Sequence, residues 1–89
     1  SSAEREIKKL PTRVKNFILK EFPPLIKENP LIGERLAGPL SFLRSFHFSI
    51  DGNPYRIAYG LEQKSLKIII HYAGIRSNFY ERLRKHIGK

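Results

Sequence analysis

Residues 43 to 72 read LRSFHFSIDGNPYRIAYGLEQKSLKIIIHY, and the period of this stretch decides the fold. From Leu43 to Ile50, and again from Tyr55 to Leu61, apolar side chains recur at every second residue, the repeat of a strand with one buried face. Asp51-Gly52-Asn53-Pro54 reads as a turn between them. A second turn falls near Glu62 to Ser65, and Leu66 to Tyr72 forms a third strand. The expectation is an antiparallel meander of three strands. Alternation puts Phe46, Phe48, Ile50, Tyr55, Ile57, Tyr59, Leu61, Leu66, Ile68, Ile70 and Tyr72 on one face, interrupted only by Arg44 at the edge. The opposite face carries Ser45, His47, Ser49, Arg56, Ala58, Gly60, Lys67, Ile69 and His71.

N-terminal to the meander the period is helical. AEREIKK (3–9) reads as a short helix with Ser2 as N-cap, and Leu10-Pro11 resets the chain. Pro11 suits a first helical position, and TRVKNFILKEF follows with Val14, Phe17, Ile18 and Phe22 on one stripe. Pro23-Pro24 is expected to break or kink this second helix, with Leu25 and Ile26 adding at most a turn before Asn29-Pro30. Residues 30 to 41 (PLIGERLAGPLS) and 73 to 76 read as loops. Ser77 caps a last helix, NFYERLRKHI, which Gly88 ends. The fold class is α+β: an N-terminal helical hairpin packed on an antiparallel meander, with a C-terminal helix. With 89 residues, residues 1–89 make a single domain with one core.

Charge narrows the function. Seventeen Lys and Arg against eight acids give a net +9, a field that draws polyanions. Nucleic acid is the first expectation, and an acidic protein the second; a basic RNA binder with an acidic inhibitor satisfies both. Cysteine is absent, which excludes disulfides and thiolate metal sites, and nothing points to secretion. No apolar run is long enough to span a bilayer. The expected location is therefore the cytoplasm, with no membrane partner.

The polar sheet face is unusual. Small residues surround one central arginine, Arg56, flanked by His47, His71 and Lys67. Small side chains beside long cationic ones make a depression suited to a phosphate, which a guanidinium fork binds bidentately. The same pattern also fits the plain solvent face of a half-buried sheet. The sequence has no Ser-His-Asp motif, a single aspartate (Asp51) and no acid pair to hold a divalent ion, so neither a metal nor another cofactor is expected. RNA's own 2′-OH is the nucleophile that remains.

The ordered set of motifs resembles the RelE/ParE toxins of type II toxin–antitoxin systems. It runs Asn29-Pro30, Leu36-Ala37-Gly38, LRSFHF (43–48), Tyr55-Arg56-Ile57-Ala58-Tyr59, Leu66 to Tyr72, Gly74-Ile75-Arg76 and Tyr80, and SSAEREIKKLP resembles the family's first helix. The match covers nearly the whole chain. Members of the family begin with a strand before that helix, and this sequence starts where that strand would have ended. The basic pair that RNA-cleaving members carry on the first meander strand is partly present, as Arg44 and His47. Alternation puts these two on opposite faces and favours His47, which shares a face with Arg56.

The resemblance implies a RelE-like, RNase-like fold and a toxin that cuts mRNA on the ribosome without a metal. Arg56 and Arg76 would hold the phosphate, Tyr80 would stack on a base or assist proton transfer, and His47 would exchange protons. Arg44, Lys67, His71, Arg82, Arg84 and Lys85 are the expected RNA contacts, the last three on a helix that also suits an antitoxin. Each has a blander reading: Tyr80 as core or rim, Arg76 as a partner contact, Lys67 and His71 as solvated surface. The expected partners are mRNA on the ribosome and an acidic antitoxin, in a toxin–antitoxin hetero-oligomer. Two other classes compete: a ParE-like toxin that inhibits DNA gyrase by binding, and a basic nucleic-acid-binding module without toxicity.

Overall fold

The computed structural model describes residues 2–62, 64–65, 67–77 and 79–87. Helix α1 (Ser2–Lys8) is followed by α2 (Thr12–Asn16), a π-helical turn (Phe17–Glu21) and α3 (Phe22–Glu28). Strands β1 (Glu34–Arg35), β2 (Arg44–Ile50), β3 (Asn53–Glu62) and β4 (Lys67–Ile75) come next, then α4 (Phe79–Ile87). The strands form one antiparallel sheet in the order β1-β2-β3-β4. This is the expected α+β architecture with one extra strand. Among the described residues no helix is long and apolar enough to cross a membrane.

The expected break at Pro23-Pro24 does not occur. Neither proline can donate to the carbonyls of Leu19 and Lys20, and each ring would crowd the carbonyl four residues back. The π turn resolves this by widening the helix just before them, and the Phe22 N–H donates to Phe17 O, five residues back. The prolines then fall in the first turn of α3, where a missing N–H costs little. Phe22 and Ile26 are fully buried on either side and hold the rod to the sheet. Two boundaries also move by a residue: Ser2 lies inside α1, and Pro11 is the cap of α2 rather than its first residue.

The 30–41 segment is not all loop. Glu34 and Arg35 pair with Ser45 and Arg44, and Gly38–Leu40 makes a 3-10 turn. The Tyr59 hydroxyl pins the segment, donating to Pro30 O and accepting from Gly33 N–H, both at 3.0 Å. A Cβ on Gly33 would lie 2.7 Å from that hydroxyl, so only glycine fits there. Arg44 donates to the carbonyls of Gly33 (2.7 Å) and Leu31 (3.3 Å). Asp51 and Gly52, both at positive φ, make the tight β2–β3 turn.

One residue breaks the alternation of β4. Ala58 pairs with Tyr72 but Tyr59 pairs with Ile70, so His71 is an extra residue in a β-bulge. Tyr72 therefore leaves the face of Ile68 and Ile70, where strict alternation put it, and lies with Ala58 on the opposite one. β4 also runs on through Gly74 and Ile75, which pair with Arg56 and Tyr55, where a loop was expected.

The result is two cores rather than one. On one face, Ile7, Val14, Ile18, Phe22 and Ile26 of the helical hairpin pack on Tyr55, Ile57, Tyr59 and Ala73, with Phe46, Phe48 and Phe17 at the margin. Leu61, expected among them, is exposed at the sheet's end. On the other face, Phe79 and Leu83 of α4 pack with Leu36, Leu43, Ala58 and Tyr72. The expected helix boundaries at 78 and 88, and Leu66, lie outside the described residues.

Candidate active site

The second core covers only half of the outer sheet face. Two residues further along each strand, His47, Arg56 and Gly74 form the next row: His47 pairs with Arg56, and Arg56 with Gly74; His47 is exposed, Arg56 half-buried and Gly74 buried. Directly opposed side chains in such a ladder have Cβ atoms about 4.5–5.5 Å apart. Gly74 contributes no side chain, and the Tyr72 ring lies over it. Arg76 is fixed at its end, because its N–H donates to Pro54 O (3.0 Å) as soon as β4 stops. A cleft of about 370 Å³ opens here, lined by His47, Ser49, Pro54, Arg56 and Arg76 among others.

Tyr80 meets this group through Arg56. It follows Phe79, which is buried in the second core, and a step of about 100° around the helix turns Tyr80 outward. The Arg56 guanidinium donates from Nη1 to the Tyr80 hydroxyl and lies 5.1 Å from the centre of its ring. Among the described residues the buried Arg56 Nε–H has no hydrogen-bond partner. Buried donors are nearly always paired, and an unpaired one costs about 1–3 kcal/mol. His47 is held below its ordinary pKa of 6.5, first by desolvation and then by Arg56 and Arg76, against an opposing pull from Glu34. It is thus biased toward the neutral, proton-accepting form. Among the described residues no group of three His, Asp or Glu side chains is placed to hold a metal ion.

The structure thus brings together the four residues expected to be catalytic: His47, Arg56, Arg76 and Tyr80. It scatters the expected RNA contacts. Arg44 pairs with Tyr59 on the helical-hairpin face and is occupied by the carbonyls of residues 31 and 33. Lys67 is exposed at the far end of β4. His71, on the bulge, lies edge-on to Phe42 (6.0 Å between ring centres) and its Nε2 is 3.4 Å from where a Cβ on Gly60 would sit. Gly60 is four residues along β3 from Arg56, roughly 13 Å, so His71 belongs to the other end of the sheet. Arg82 and Lys85 share a hollow with Glu6, Tyr72 and His86, whereas Arg84 shares another with Tyr80.

Sequence reasoning missed Tyr72 and Glu34. The Tyr72 ring passes over Gly74, opposite Arg56, with carbon and hydroxyl atoms 3.2 and 3.3 Å from a Cβ position there. Glu34 stands next to Ser45 in register and close enough to act on His47. Only the bulge and the short β1 bring them here, and neither leaves a mark in the apolar pattern.

No curated protein matches the chain. The family model of the ParE-like toxin of type II bacterial toxin–antitoxin systems matches residues 1–84, nearly its whole length, and the chain belongs to that family of toxins.

Proposed function

We propose that this toxin is a metal-independent endoribonuclease that cuts mRNA on the ribosome. The observation that carries the reading is Arg56: a half-buried guanidinium that lines one cleft with a neutral-biased His47 and Arg76 and donates to a tyrosine hydroxyl. The guanidinium groups of Arg56 and Arg76, which line the cleft, hold the phosphate there. In the reaction the RNA 2′-oxygen bonds to the adjacent phosphorus as its proton passes to neutral His47. Arg56 and Arg76 stabilise the added negative charge on the phosphate. The P–O5′ bond then breaks, and a proton from the Tyr80 hydroxyl or a ribosomal group restores the 5′-OH. The products are a 2′,3′-cyclic phosphate and a 5′-hydroxyl end. The attacking group is already tethered to its target, so what the site must supply is alignment. The cleft is short and its cations few, which leaves bending of the message to the ribosome, in the cytoplasm.

The test is induced expression followed by primer extension on a translated message. Codon-phased cuts with 5′-hydroxyl ends are expected. Cutting should survive EDTA in a pre-trapped ribosome complex, and a message with a 2′-deoxy residue at the cut site should resist. Cutting of that deoxy message would sink the mechanism. A second reading is inhibition of DNA gyrase by binding. Exposed Leu31 and Phe42, which line one hollow that shares no residue with the cleft, favour it as a protein-contact surface. Loss of supercoiling activity in purified gyrase, with intact messages, would decide for it. The family implies an antitoxin partner. An acidic antitoxin suits the +9 charge, and its affinity should weaken with added salt.

A further inference from the structure

Across the Arg56–Tyr80 contact from the cleft lies a second hollow of about 310 Å³. Leu36, Ala37 and Leu40 line it together with Tyr80, Arg35, Arg84 and Glu34. The two spaces adjoin. Tyr80 lines the hollow and its hydroxyl meets Arg56 in the cleft. Glu34 lines the hollow and its charge acts on His47 in the cleft. The Arg56–Tyr80 contact thus joins a residue of the cleft to a residue of the hollow.

The lining has the composition of a single-strand subsite: an apolar floor, an aromatic ring and two guanidinium groups. The arginine Nε of Arg35 is tied to Ser41 O at 3.0 Å, which fixes that side chain at the rim. Glu34 is the exception. A carboxylate repels phosphate, and among the described residues Glu34 forms no salt bridge with Arg35 or Arg84. An ionised carboxylate only accepts hydrogen bonds, and it accepts best from two donors side by side. Among the RNA bases, guanine alone presents two neighbouring N–H donors, N1–H and N2–H, on its Watson–Crick edge.

We propose that this hollow is a guanine subsite, in which Glu34 reads the Watson–Crick edge of a base next to the scissile phosphate. The proposal deepens the ribonuclease reading and rests on it. Glu34 is then a specificity-determining residue, and the base rests against Tyr80 and Leu40.

Two measurements test it. In the first, ribosomes programmed with messages that differ by one base near the cut are treated with wild-type toxin and with Glu34→Gln. Wild type should favour guanine at one position by about tenfold, the usual reach of one bidentate base contact, and the ratio should fall toward one in the variant. An unchanged ratio in Glu34→Gln, or no guanine preference in wild type, overturns the proposal. In the second, the folded chain is titrated with GMP and with AMP and followed by NMR. GMP should shift the resonances of Glu34, Leu40 and Tyr80 more than AMP does, and Glu34→Gln should remove the difference; equal shifts overturn it. If wild type cuts no message yet GMP still shifts these residues selectively, the guanine site stands and the ribonuclease reading fails.

Discussion

Ser45, Ala58 and Tyr72 form one row across β2, β3 and β4, and His47, Arg56 and Gly74 form the next. The two rows share strands, twist and face, and lie one side-chain repeat apart, about 7 Å. The first is dry: Ser45 is 1% exposed, Ala58 0% and Tyr72 5%, sealed by Phe79 and Leu83. In the second, His47 is exposed and Arg56 half-buried, and Gly74 alone is covered, by the Tyr72 ring. What separates them is the path of the chain after β4. It turns at Arg76–Ser77 and returns over the first row as α4, so Phe79 plugs the dry half and Tyr80, its neighbour, edges the wet one. A buried anchor thus sets the position of an exposed tyrosine hydroxyl, and the halves are separable by mutation.

The largest effect is expected in the dry half. Leu83 is fully buried between α4 and the sheet, and Leu83→Ala should cost about 2–5 kcal/mol of unfolding free energy. It should also loosen Tyr80 and lower activity. A urea midpoint equal to that of wild type would show that α4 is not held by this core.

Arg56→Ala is the matching change in the wet half. It removes no core packing, since Arg56 lies outside both apolar clusters. Toxicity should fall by about a hundredfold or more, as for a lost transition-state donor, with the urea midpoint little changed. Full activity in the variant, or a chain that no longer folds, would break the assignment of this half to chemistry. Between the two lies Gly74, which faces Arg56 and carries the Tyr72 ring overhead. In Gly74→Ala the new methyl meets that ring at 3.2 Å, an overpacked contact that should cost about 1–3 kcal/mol. Activity should fall with it, because Tyr72 is pushed while Arg56 is opposite. A variant as stable as wild type would show that the Tyr72 ring yields freely.

The sequence was most legible where a period is uninterrupted. The stripe Val14, Phe17, Ile18 and Phe22 and the alternation through β2 and β3 led to the hairpin core and to His47 and Arg56 on a shared face. Legibility stopped at single-residue irregularities. The bulge at His71 reverses every side chain after it, so Tyr72 was assigned to the wrong core and the second core went unseen. Prolines 23 and 24 look like a break because a propensity argument cannot know that a π turn will absorb them. β1 is two residues long, too short to show a period at all, and with it went Glu34. Arg44 reads as one more exposed cation until its partners, carbonyls of residues distant in sequence, are in place.

The smallest effect, and the one that sharpens the comparison most, is pH dependence. Each half has a histidine held below 6.5: His71 by burial and then by His86, His47 by desolvation and then by Arg56 and Arg76. Such a group stays neutral in the folded protein at pH values where the unfolded chain already binds a proton. The unfolded state then holds more protons, so stability falls as the pH drops from 6.5 toward the folded value and levels off below it. His71, half-buried beside Phe42 and Gly60, should carry most of this slope, while His47 is exposed and its share is reduced by solvent screening. The rate should behave the other way round. If neutral His47 takes the 2′-OH proton, cleavage has an acid limb below 6.5 that belongs to His47 and not to His71. Urea melts from pH 5 to 8 on His71→Gln should therefore show a flatter acid slope than wild type, with the rate profile retained. His47→Gln should keep the stability slope and lose both the acid limb and most of the rate. The same acid limb in His47→Gln as in wild type would move the general base to another group, on the toxin or on the ribosome.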